Sequence, residues 1–483
     1  MAKAVRRFPE CKMPNPFTNP ITFTPWMRIK LALGFVLLLP LRLVVCVLFV
    51  PIVWLLCSLA GMGWKPGQHQ KPWQQILTGK VAPIVGRAWL FLGFGYYWVP
   101  VRGRRASAAE APINIFCPHS HILETLFAMA FFPITPLSRI ENKNIVIIGT
   151  ILSAGEPIFV DRGAGAGGTV QSVKERIRSP GNWLPVMLSP EGTLSNARQV
   201  IGFKTGAFAP AAPIQGVLLR YRLPEVGVWT SFSRGPATSF LLTLCQWRNH
   251  LEIEFMPVYT PSAEEQADPL LYSRNFKRLV ASTLDLPATE HTLEDLRLIY
   301  QATDAGLPVD AALIEYNLIS RAFGVRLPEL KAILERYVRI NTSKSGAVSL
   351  QEFADHLRWP LAEQVERLFT AYDTVSDCGR LRYREYVVGT LDLALKVPDQ
   401  DNLIALAFDA LSNGQEQLTV DSVLACFRER GFEDVSGEGD VSAFLYKMSQ
   451  SGDLHSAGFT AYVQANADLL VYLCWLMHGV DSI

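Results

Sequence analysis

The sequence predicts an α/β domain that follows an N-terminal membrane helical hairpin and precedes a C-terminal all-α domain. Three observations predict this fold class: a long apolar run near the N terminus, short apolar segments alternating with helical ones in the middle, and a reversal of charge along the chain. Residues 1–110 carry a net charge of +12 and residues 291–483 carry −12, although the whole chain of 483 residues carries +1. A cationic apolar head suits an anionic membrane surface, and an acidic tail suits a cation-binding or regulatory module.

The composition excludes several classes of protein. Charged residues make up 18% of the chain and apolar residues 49%, whereas soluble proteins average about 25% charged residues. This balance argues against a disordered, collagen-like or nucleic-acid-binding chain and indicates membrane contact. The eight cysteines are scattered without a CxxC pair or metal-ligand spacing, which indicates a reduced, cytosol-facing environment.

The head is the apolar run Leu31–Ala60, whose one charged residue is Arg42. It is long enough to cross a bilayer, which takes about 20 residues, and it is too long and too far into the chain for a cleavable signal peptide. Basic residues flank both sides, so both ends are expected to be cytosolic. Because Pro40 and Pro51 also interrupt the run, a kinked or re-entrant hairpin fits better than one straight span.

A second apolar segment, Val81–Val101, is rich in aromatic residues. It is either a buried amphipathic helix of the next domain or a further membrane-inserted segment. From about residue 100 the pattern becomes that of an α/β sheet. The expected strands are Ile113–Cys117, Pro157–Val160, Pro185–Leu188, Gln215–Leu219 and Leu251–Pro257, and the expected helices are Ile122–Phe132 and Val170–Arg178.

The most informative segment of the middle region runs from Pro118 to Glu124, where a strand ends and a helix begins. A histidine in the loop before a helix, with a carboxylate one turn inside, can have its tautomer fixed by that carboxylate while the other ring nitrogen takes a proton. His119 and Glu124 therefore form a candidate general base. His121 is a competing imidazole, which we expect on the helix surface.

Two further motifs suggest a phosphate-binding site. Arg162 follows the strand that ends at Val160, and Pro190-Glu191-Gly192-Thr193 follows the next strand, at the strand ends where α/β sheets bind ligands. Arg162 and the nearby Lys204 are able to neutralise a phosphate, Arg by a bidentate fork and Lys as a point charge. Taken singly, Glu191 reads as a surface turn and Arg162 as half of a salt bridge.

The order and spacing of these motifs resemble the glycerophospholipid acyltransferase superfamily (PlsC-like). Its four blocks match His119 to Glu124, Phe159 to Arg162, Pro190 to Thr193, and Ala212-Pro213-Ile214. Three further segments resemble the lysophosphatidylcholine acyltransferase branch that ends in EF-hands: Pro14-Asn15-Pro16-Phe17, Phe203-Lys204-Thr205-Gly206-Ala207-Phe208 and Leu218-Leu219-Arg220-Tyr221. The fold class is thus an α/β acyltransferase domain between the hairpin and a C-terminal EF-hand-like domain.

The resemblance implies a reaction and roles for the motif residues. His119 would deprotonate the free glycerol hydroxyl of a lysophospholipid, which attacks the thioester of the co-substrate acyl-CoA, with Glu124 as its catalytic partner. The residues implied to bind substrate are Arg162, Glu191, Gly192 and Thr193 for the phosphoglycerol part and Pro213 in the block linked to acyl-CoA, and Lys204 is added for its charge and position. No metal cofactor is needed, and the partners are membrane lipids, not nucleic acid.

One departure keeps an alternative open. The family has Asp at the position of Glu124, and the extra methylene changes the reach of the carboxylate, where a misplacement of about 1 Å can cost on the order of a hundredfold in rate. The alternative is a weak or inactive homologue that acts as a membrane-bound regulatory protein. A third reading keeps the chemistry and changes the acceptor to glycerol 3-phosphate or lysophosphatidic acid.

The tail contains a segment, residues 341–352, that matches the EF-hand loop template. Asn341, Ser343, Ser345 and Glu352 occupy ligand positions. Asp is missing from the early positions, so calcium affinity is expected to be weak and the site vestigial. A second loop from Asp373 fits only with one inserted residue, and residues 409–419 and 448–459 keep the periodicity while losing most ligands. The tail is either a non-binding scaffold or a working calcium site.

These readings give five segments. We expect a membrane-anchoring segment at residues 1–66, the acyltransferase domain at 67–283, a helical connector at 284–330, the EF-hand-like domain at 331–470 and a tail at 471–483. The resemblance implies an endoplasmic reticulum membrane, or Golgi or lipid droplet, with the active site facing the cytosol.

Overall fold

The computed structural model describes residues 14–65, 68–160, 165–179, 181, 183–222, 225–357, 366, 369–370, 372, 379–396, 400–429, 454–465 and 473. The chain forms two compact units that divide between Leu293 and Glu294. The first contains the apolar helices and a seven-stranded sheet, and the second is helical apart from a two-stranded ribbon. The boundaries expected at residues 66, 283, 330 and 470 stay predictions. The two units are separated by their internal contacts, which is a different criterion.

The elements of the first unit begin with three apolar helices and then alternate. They are α1 Pro25–Leu37, α2 Leu39–Ala60, α3 Pro72–Phe94, β1 Val101–Arg102, β2 Ile113–Cys117, α4 Glu124–Phe131, β3 Thr135–Arg139, α5 Val146–Ser153, β4 Ile158–Val160, α6 Gly165–Arg178, β5 Val186–Leu188, β6 Ile214–Tyr221, α7 Pro236–Cys245, β7 Leu251–Phe255, α8 Ala263–Ala267 and α9 Pro269–Leu284.

The sheet has the strand order β1-β7-β6-β2-β5-β3-β4. β2 lies between β5 and β6 and is parallel to both, and β7 runs antiparallel to β6. One face of the sheet packs on α6 and α9 through residues such as Ile115, Val173 and Phe276, and the other packs on α4 and the apolar helices. The carboxyl ends of the parallel strands therefore meet at one edge, where ligand sites form in such sheets.

The predicted α/β sheet is confirmed, and each predicted strand overlaps an observed one. Two strands, β1 and β3, were not predicted. β1 has two residues, and Pro136 within β3 removes a backbone donor and weakens the strand pattern. Both predicted helices of this region are present as α4 and α6, with shifted ends.

The hairpin forms from different segments than expected. The run Leu31–Ala60 does not turn back on itself: α2 continues almost directly from α1 and passes through Pro51. The turn lies instead between α2 and α3, which run antiparallel: Phe49 stacks on Trp89 at 5.8 Å near one end, and the Gln74 amide donates to the carbonyl oxygen of Met62 at the other. The second apolar segment is thus the partner of the first. Both helices are long and apolar enough to cross a membrane.

The charged residue inside the apolar run, Arg42, is hydrogen-bonded to the end of another helix. Arg42 is 3% exposed and its guanidinium donates to the carbonyl oxygens of Leu244 (2.8 Å) and Gln246 (2.5 Å), and to the Tyr97 hydroxyl. Carbonyl groups in the last turn of a helix lack intrahelical donors, and a cation is favourable there. Arg42 therefore ties the start of α2 to the end of α7.

The second unit is helical. Its elements are α10 Leu293–Asp304, α11 Tyr316–Phe323, α12 Leu327–Ile340, β8 Ala347–Ser349, α13 Leu350–Leu357, β9 Arg380–Arg382, α14 Tyr383–Lys396, α15 Gln400–Ser412, α16 Val420–Glu429 and α17 Ser456–Ala465. β8 and β9 pair antiparallel with Val348 opposite Leu381. Leu298 and Ile319, from the expected connector, belong to the same core as Tyr337 and Phe408.

Candidate active site

His119 lies in the loop that follows β2, at the carboxyl edge of the sheet. Its backbone is fixed on both sides of the peptide unit. The N–H donates to Glu191 Oε2 at 3.1 Å, and the carbonyl oxygen accepts from the Ser195 N–H at 2.9 Å. The His119 side chain is 36% exposed, so a rigid backbone presents an accessible imidazole.

Glu124 is the first residue of α4, and its side chain reaches back over the start of its own helix. One carboxylate oxygen accepts the backbone N–H groups of Ser120 (2.5 Å) and His121 (2.7 Å), and the other meets His119 Nδ1. Because Nδ1 donates its hydrogen to the carboxylate, the lone pair of the neutral ring is on Nε2. The geometry that the sequence predicted for His119 and Glu124 is present.

Two carboxylates set the protonation of this imidazole. Burial alone would lower the pKa of His119, but the charge and hydrogen bond of Glu124, with a smaller effect of Glu191, outweigh it and raise the pKa above its ordinary value. Burial raises the pKa of Glu191 to about 7, against the hydrogen bonds from Cys117 and His119. The Glu191 carboxyl therefore changes charge close to neutral pH, beside an imidazole whose protonated form is favoured.

Glu191 lies inside the loop rather than on its surface. Its side chain is fully buried, and the carboxylate accepts hydrogen bonds from the Cys117 thiol (3.1 Å), the His119 N–H and the Ser195 hydroxyl (3.3 Å). The reading of this residue as a surface turn is wrong. Its donors come from the end of β2, from the loop that carries His119 and from its own loop, so Glu191 ties these three segments together.

The rest of the motif after β5 faces outward. Gly192 has φ +67°, a conformation that favours glycine, and a Cβ there would lie 2.8 Å from Lys204 Cε. The aliphatic part of the Lys204 side chain therefore covers the Gly192 backbone, although both residues are exposed. Thr193, the residue after Gly192, is half-buried. These three residues lie together on the chain segments next to the His119 loop.

One predicted residue lies elsewhere, and another is not among those that the structure describes. Pro213 precedes β6, which is parallel to β2, so it lies at the amino edge of the sheet, away from His119. Arg162 lies outside the described residues; Val160, two positions before it, ends β4 at the carboxyl edge. The structure thus brings His119, Glu124, Glu191, Gly192, Thr193 and Lys204 to one region and does not bring Pro213 there.

The expectation that His121 lies on a helix surface is wrong. Its side chain is buried, Nδ1 accepts the Leu123 N–H at 3.1 Å, and Nε2 lies 3.2 Å from the Tyr96 hydroxyl. The ring also stacks on Tyr221 with the centroids 5.3 Å apart. Both of its nitrogens are engaged inside the protein, so of the two imidazoles His119 is the one available to a substrate.

Sequence reasoning missed a segment that braces this region. Residues 14–23, the N-terminal strap, lie against the loop that follows Glu191. The Asn196 amide donates to the carbonyl oxygens of Asn15 (3.0 Å) and Thr18 (3.1 Å), and the Asn196 N–H donates to that of Pro16 (2.8 Å). In the sequence, Pro14-Asn15-Pro16-Phe17 marks this segment by its resemblance to the family, but it does not indicate which part of the fold the segment contacts.

An apolar cavity of about 320 Å³ adjoins the start of α4. Its walls come from the hairpin, α4, α5 and α7, and include Val53, Trp89, Leu123, Met129, Ile151 and Phe240. Ile122 and Leu123 line it as well, and these residues lie between His119 and Glu124. A hydrocarbon-lined space therefore reaches the segment that joins His119 to Glu124.

The comparisons with known proteins agree over most of the chain. The family model described as Acyltransferase matches residues 99–219. Lysophosphatidylcholine acyltransferase 2 of Homo sapiens is 33% identical over 460 residues, which cover 93% of this chain and 83% of that protein. Lysophosphatidylcholine acyltransferase 1 of Homo sapiens is 33% identical over 440 residues, covering 89% and 78% respectively.

A solved structure resembles the chain more loosely. The crystal structure of the 1-acyl-sn-glycerophosphate (LPA) acyltransferase PlsC from Thermotoga maritima covers 51% of this chain and 97% of its own, at 14% sequence identity and a TM-score of 0.34. The two human relatives are each matched over more than two thirds of their own length at about one third identity. The chain belongs to the lysophosphatidylcholine acyltransferase family.

Proposed function

We propose that this protein transfers an acyl group from acyl-CoA to the free glycerol hydroxyl of lysophosphatidylcholine, with His119 as the general base. The observation that supports this role most directly is the pair formed by His119 Nδ1 and the buried Glu124 carboxylate, which leaves Nε2 of an accessible ring to accept a proton. Family membership supplies the substrate class.

The reaction needs one proton carrier and no acyl-enzyme. His119 Nε2 takes the hydroxyl proton as the oxygen attacks the thioester carbonyl carbon. The carbon–sulfur bond then breaks, and the departing CoA thiolate takes the proton from the imidazolium. The Glu124 carboxylate stabilises the imidazolium while it exists and keeps the ring oriented, as the buried aspartate does beside the histidine of serine hydrolases.

The acyl chain of the donor fits the apolar cavity beside α4. Burying hydrocarbon there contributes about 0.8 kcal/mol for each methylene, and Ile122 and Leu123 connect the cavity to the His119 loop. The hairpin residues Val53 and Trp89 form one wall. The same helices that contact the membrane thus enclose the fatty chain.

The phosphate of the acceptor is assigned to the segment after β5. Lys204 and Arg162 supply positive charge, and Gly192 and Thr193 supply backbone and hydroxyl donors. We assign Glu191 a positioning role, since its carboxylate accepts hydrogen bonds from Cys117, His119 and Ser195. Pro213 stays a prediction for the acyl-CoA block.

We assign the hairpin to one leaflet of the membrane, in the plane of the bilayer. α2 is tied to the sheet domain near both ends, through Arg42 at its start and through Gln70, whose amide bridges the carbonyl oxygens of Ala60 and Ala154, at its end. A helix fixed at both ends lies along the domain. Its outer side exposes Leu41, Val47 and other large apolar residues. A cytosolic active site on the endoplasmic reticulum fits this arrangement.

For the second unit we propose an EF-hand-like pair that works as a scaffold. The β8–β9 ribbon pairs Val348 with Leu381, the same template position of two loops; residues 373–378, the early ligand positions of the second loop, lie outside the described residues. In the first loop, Glu352 already accepts hydrogen bonds from the N–H groups of Ser343 (2.7 Å) and Ser349 (2.8 Å). With Asn341, Ser343 and Ser345 uncharged, calcium binding at this loop is weak.

The test is an acceptor panel with labelled acyl-CoA and the full chain in detergent or vesicles. We expect product with lysophosphatidylcholine, little with glycerol 3-phosphate or lysophosphatidic acid, and a loss of about 10²–10⁴-fold in His119→Ala. His455→Ala, which removes an exposed histidine of the second unit, is the matched control and should keep full activity. Absence of transfer to any acceptor would favour the regulatory alternative.

A further inference from the structure

A second cavity, of about 270 Å³, lies at the same edge of the sheet, where β6 ends and β7 begins. Its lining includes four basic residues, Arg220, Arg222, Arg248 and His250, and one acid, Glu252, and the aromatic residues Trp98 and Tyr221 form walls. Tyr221 also stacks on His121, so its ring stands between this cavity and the His119 loop. The cavity is separate from the acyl-transfer site.

The basic residues of this lining outnumber its one acid. Within the described part of the chain, neither Arg222 nor Arg248 forms an ion pair. The nearby acids are engaged elsewhere, since Glu252 pairs with Arg102 at 2.8 Å and Glu254 pairs with Arg220 at 2.8 Å. Burial, followed by the charges of Arg248 and Arg222, lowers the pKa of His250 against the smaller opposite effect of Glu225, so the net effect of these neighbouring charges on His250 is that of a positive potential.

The cavity lies at the boundary between apolar and polar surface. Trp98 is 70% exposed and follows the end of α3 by four residues, and Trp247, beside Arg248, is exposed and donates its indole N–H to the carbonyl oxygen of Lys30 in α1. Exposed Phe91 and Leu92 of α3 continue this surface towards the hairpin. Tryptophan is enriched where a protein meets the headgroup layer, so the basic side chains stand at headgroup depth.

From this juxtaposition we infer a binding site for the phosphate group of an anionic bilayer lipid, held by the guanidinium groups of Arg222 and Arg248 in the cavity between β6 and β7. Arginine binds phosphate through a planar fork of donors. Bilayer lipid is favoured over a soluble phosphate compound because the exposed tryptophans lie at the rim. The site anchors and orients the enzyme and takes no part in the acyl transfer.

The experiment measures binding of the full chain to vesicles by flotation. Three compositions are compared: phosphatidylcholine alone, phosphatidylcholine with phosphatidic acid, and phosphatidylcholine with oleate at the same surface charge. The variant is Arg222→Gln/Arg248→Gln, and the matched control is Arg274→Gln/Arg278→Gln, which removes the same charge from exposed positions on α9. Thermal melting verifies that both variants fold, and the acceptor panel is run in parallel so that loss of activity is scored separately.

We expect the control to bind phosphatidic acid vesicles as the unchanged protein does, and the cavity variant to bind them about thirtyfold more weakly, since each of the two basic residues near an anionic surface contributes about fivefold. Binding to oleate vesicles should change much less. Equal loss in both variants, or equal loss on oleate, would show diffuse surface attraction and overturn the inference. Displacement by inorganic phosphate or CoA with no preference for vesicles would assign the cavity to a soluble ligand instead and overturn it as well.

Discussion

At the residue scale, the chemistry depends on how one carboxylate reaches one imidazole. Glu124 begins α4, and its longer side chain turns back to accept the N–H groups of Ser120 and His121 as well as His119 Nδ1. Those contacts account for the extra methylene: the loop before α4 is closed around a glutamate. The departure from the family residue is thus compatible with a working pair.

The pH–rate profile of the unchanged protein and Glu124→Asp tests this pair. His119 must be neutral to accept a proton and its pKa is raised, so we expect kcat/KM to fall as the pH drops through a value above about 6.5. A shorter carboxylate withdraws from Nδ1, which lowers kcat on the order of a hundredfold. It also raises the pKa of His119 less, which moves the acid limb to lower pH.

Glu264→Asp, a change at an exposed position of α8, is the control and should reproduce the unchanged profile. An aspartate variant with full activity and an unmoved acid limb would contradict the role assigned to Glu124. Since Glu191 titrates at about 7 and contacts the same loop, the limb reports the coupled groups rather than His119 alone.

At the scale of elements, the site is built where strand ends, a helix start and the N-terminal strap meet. β2 and β5 deliver His119 and Glu191 to one edge because they are parallel neighbours. The loop after Glu191 is then fixed from both sides: the Ser195 N–H holds the His119 carbonyl oxygen, and Asn196 holds the strap. The strap therefore acts on the base through two consecutive residues.

Asn196→Ala is the test of this bracing. The substitution removes the two hydrogen bonds that the Asn196 amide donates to the carbonyl oxygens of Asn15 and Thr18, and we expect the free energy of unfolding to fall by about 1–3 kcal/mol. A several-fold loss of kcat at nearly unchanged KM should accompany it, since the base loses its fixed position. Thermal unfolding in detergent and the acyl-transfer rate measure the two effects.

The control is Gln171→Ala, which removes an exposed hydrogen bond on α6 and should change stability by no more than about 0.5 kcal/mol. A stable Asn196→Ala protein with unchanged kcat would show that the strap is independent of the site.

At the scale of the whole molecule, the chain separates membrane chemistry from an acidic helical unit. The first loop of that unit is closed by its own hydrogen bonds. Partial burial opposes ionisation of Glu352, but the hydrogen bonds from Ser349 and Ser343 outweigh it and lower the pKa of this carboxyl to about 2. The loop therefore keeps its shape without a cation.

We expect the acyl-transfer rate to be the same in calcium and in a chelator. The variant Asn341→Asp/Ser343→Asp/Ser345→Asp restores the missing charges and should bind calcium at about 10⁻⁵ M or tighter, which calorimetry measures, with a higher melting temperature in calcium. Adding Glu352→Gln to it should remove that binding. Calcium binding of comparable strength by the unchanged protein would contradict the scaffold reading.

The order of apolar and polar residues predicted the strands and helices of the sheet domain, because these depend mainly on neighbouring residues. Ile113–Cys117 is predictable as a strand because it is a short, mainly apolar run. His119 is predictable as a loop residue because it lies between this strand and the next helix. The pairing of α2 with α3, in place of a hairpin within Leu31–Ala60, was not predictable in this way. Pro40 and Pro51 suggest a break, but Pro40 lies in the first turn of α2, where proline is tolerated.

The sequence by itself determined the fold class, the candidate base with its carboxylate and the separation of charge between the two ends, because these depend on spacing, period and composition. The tertiary structure alone decided that Glu191 is buried against the His119 loop, that His121 is engaged by Tyr96 and Tyr221, and that Arg42 meets the end of α7. Each of these contacts joins residues far apart in the chain or buries a polar group beside an unforeseen partner. The burial and partner of a polar side chain are properties of packing, which local sequence does not contain.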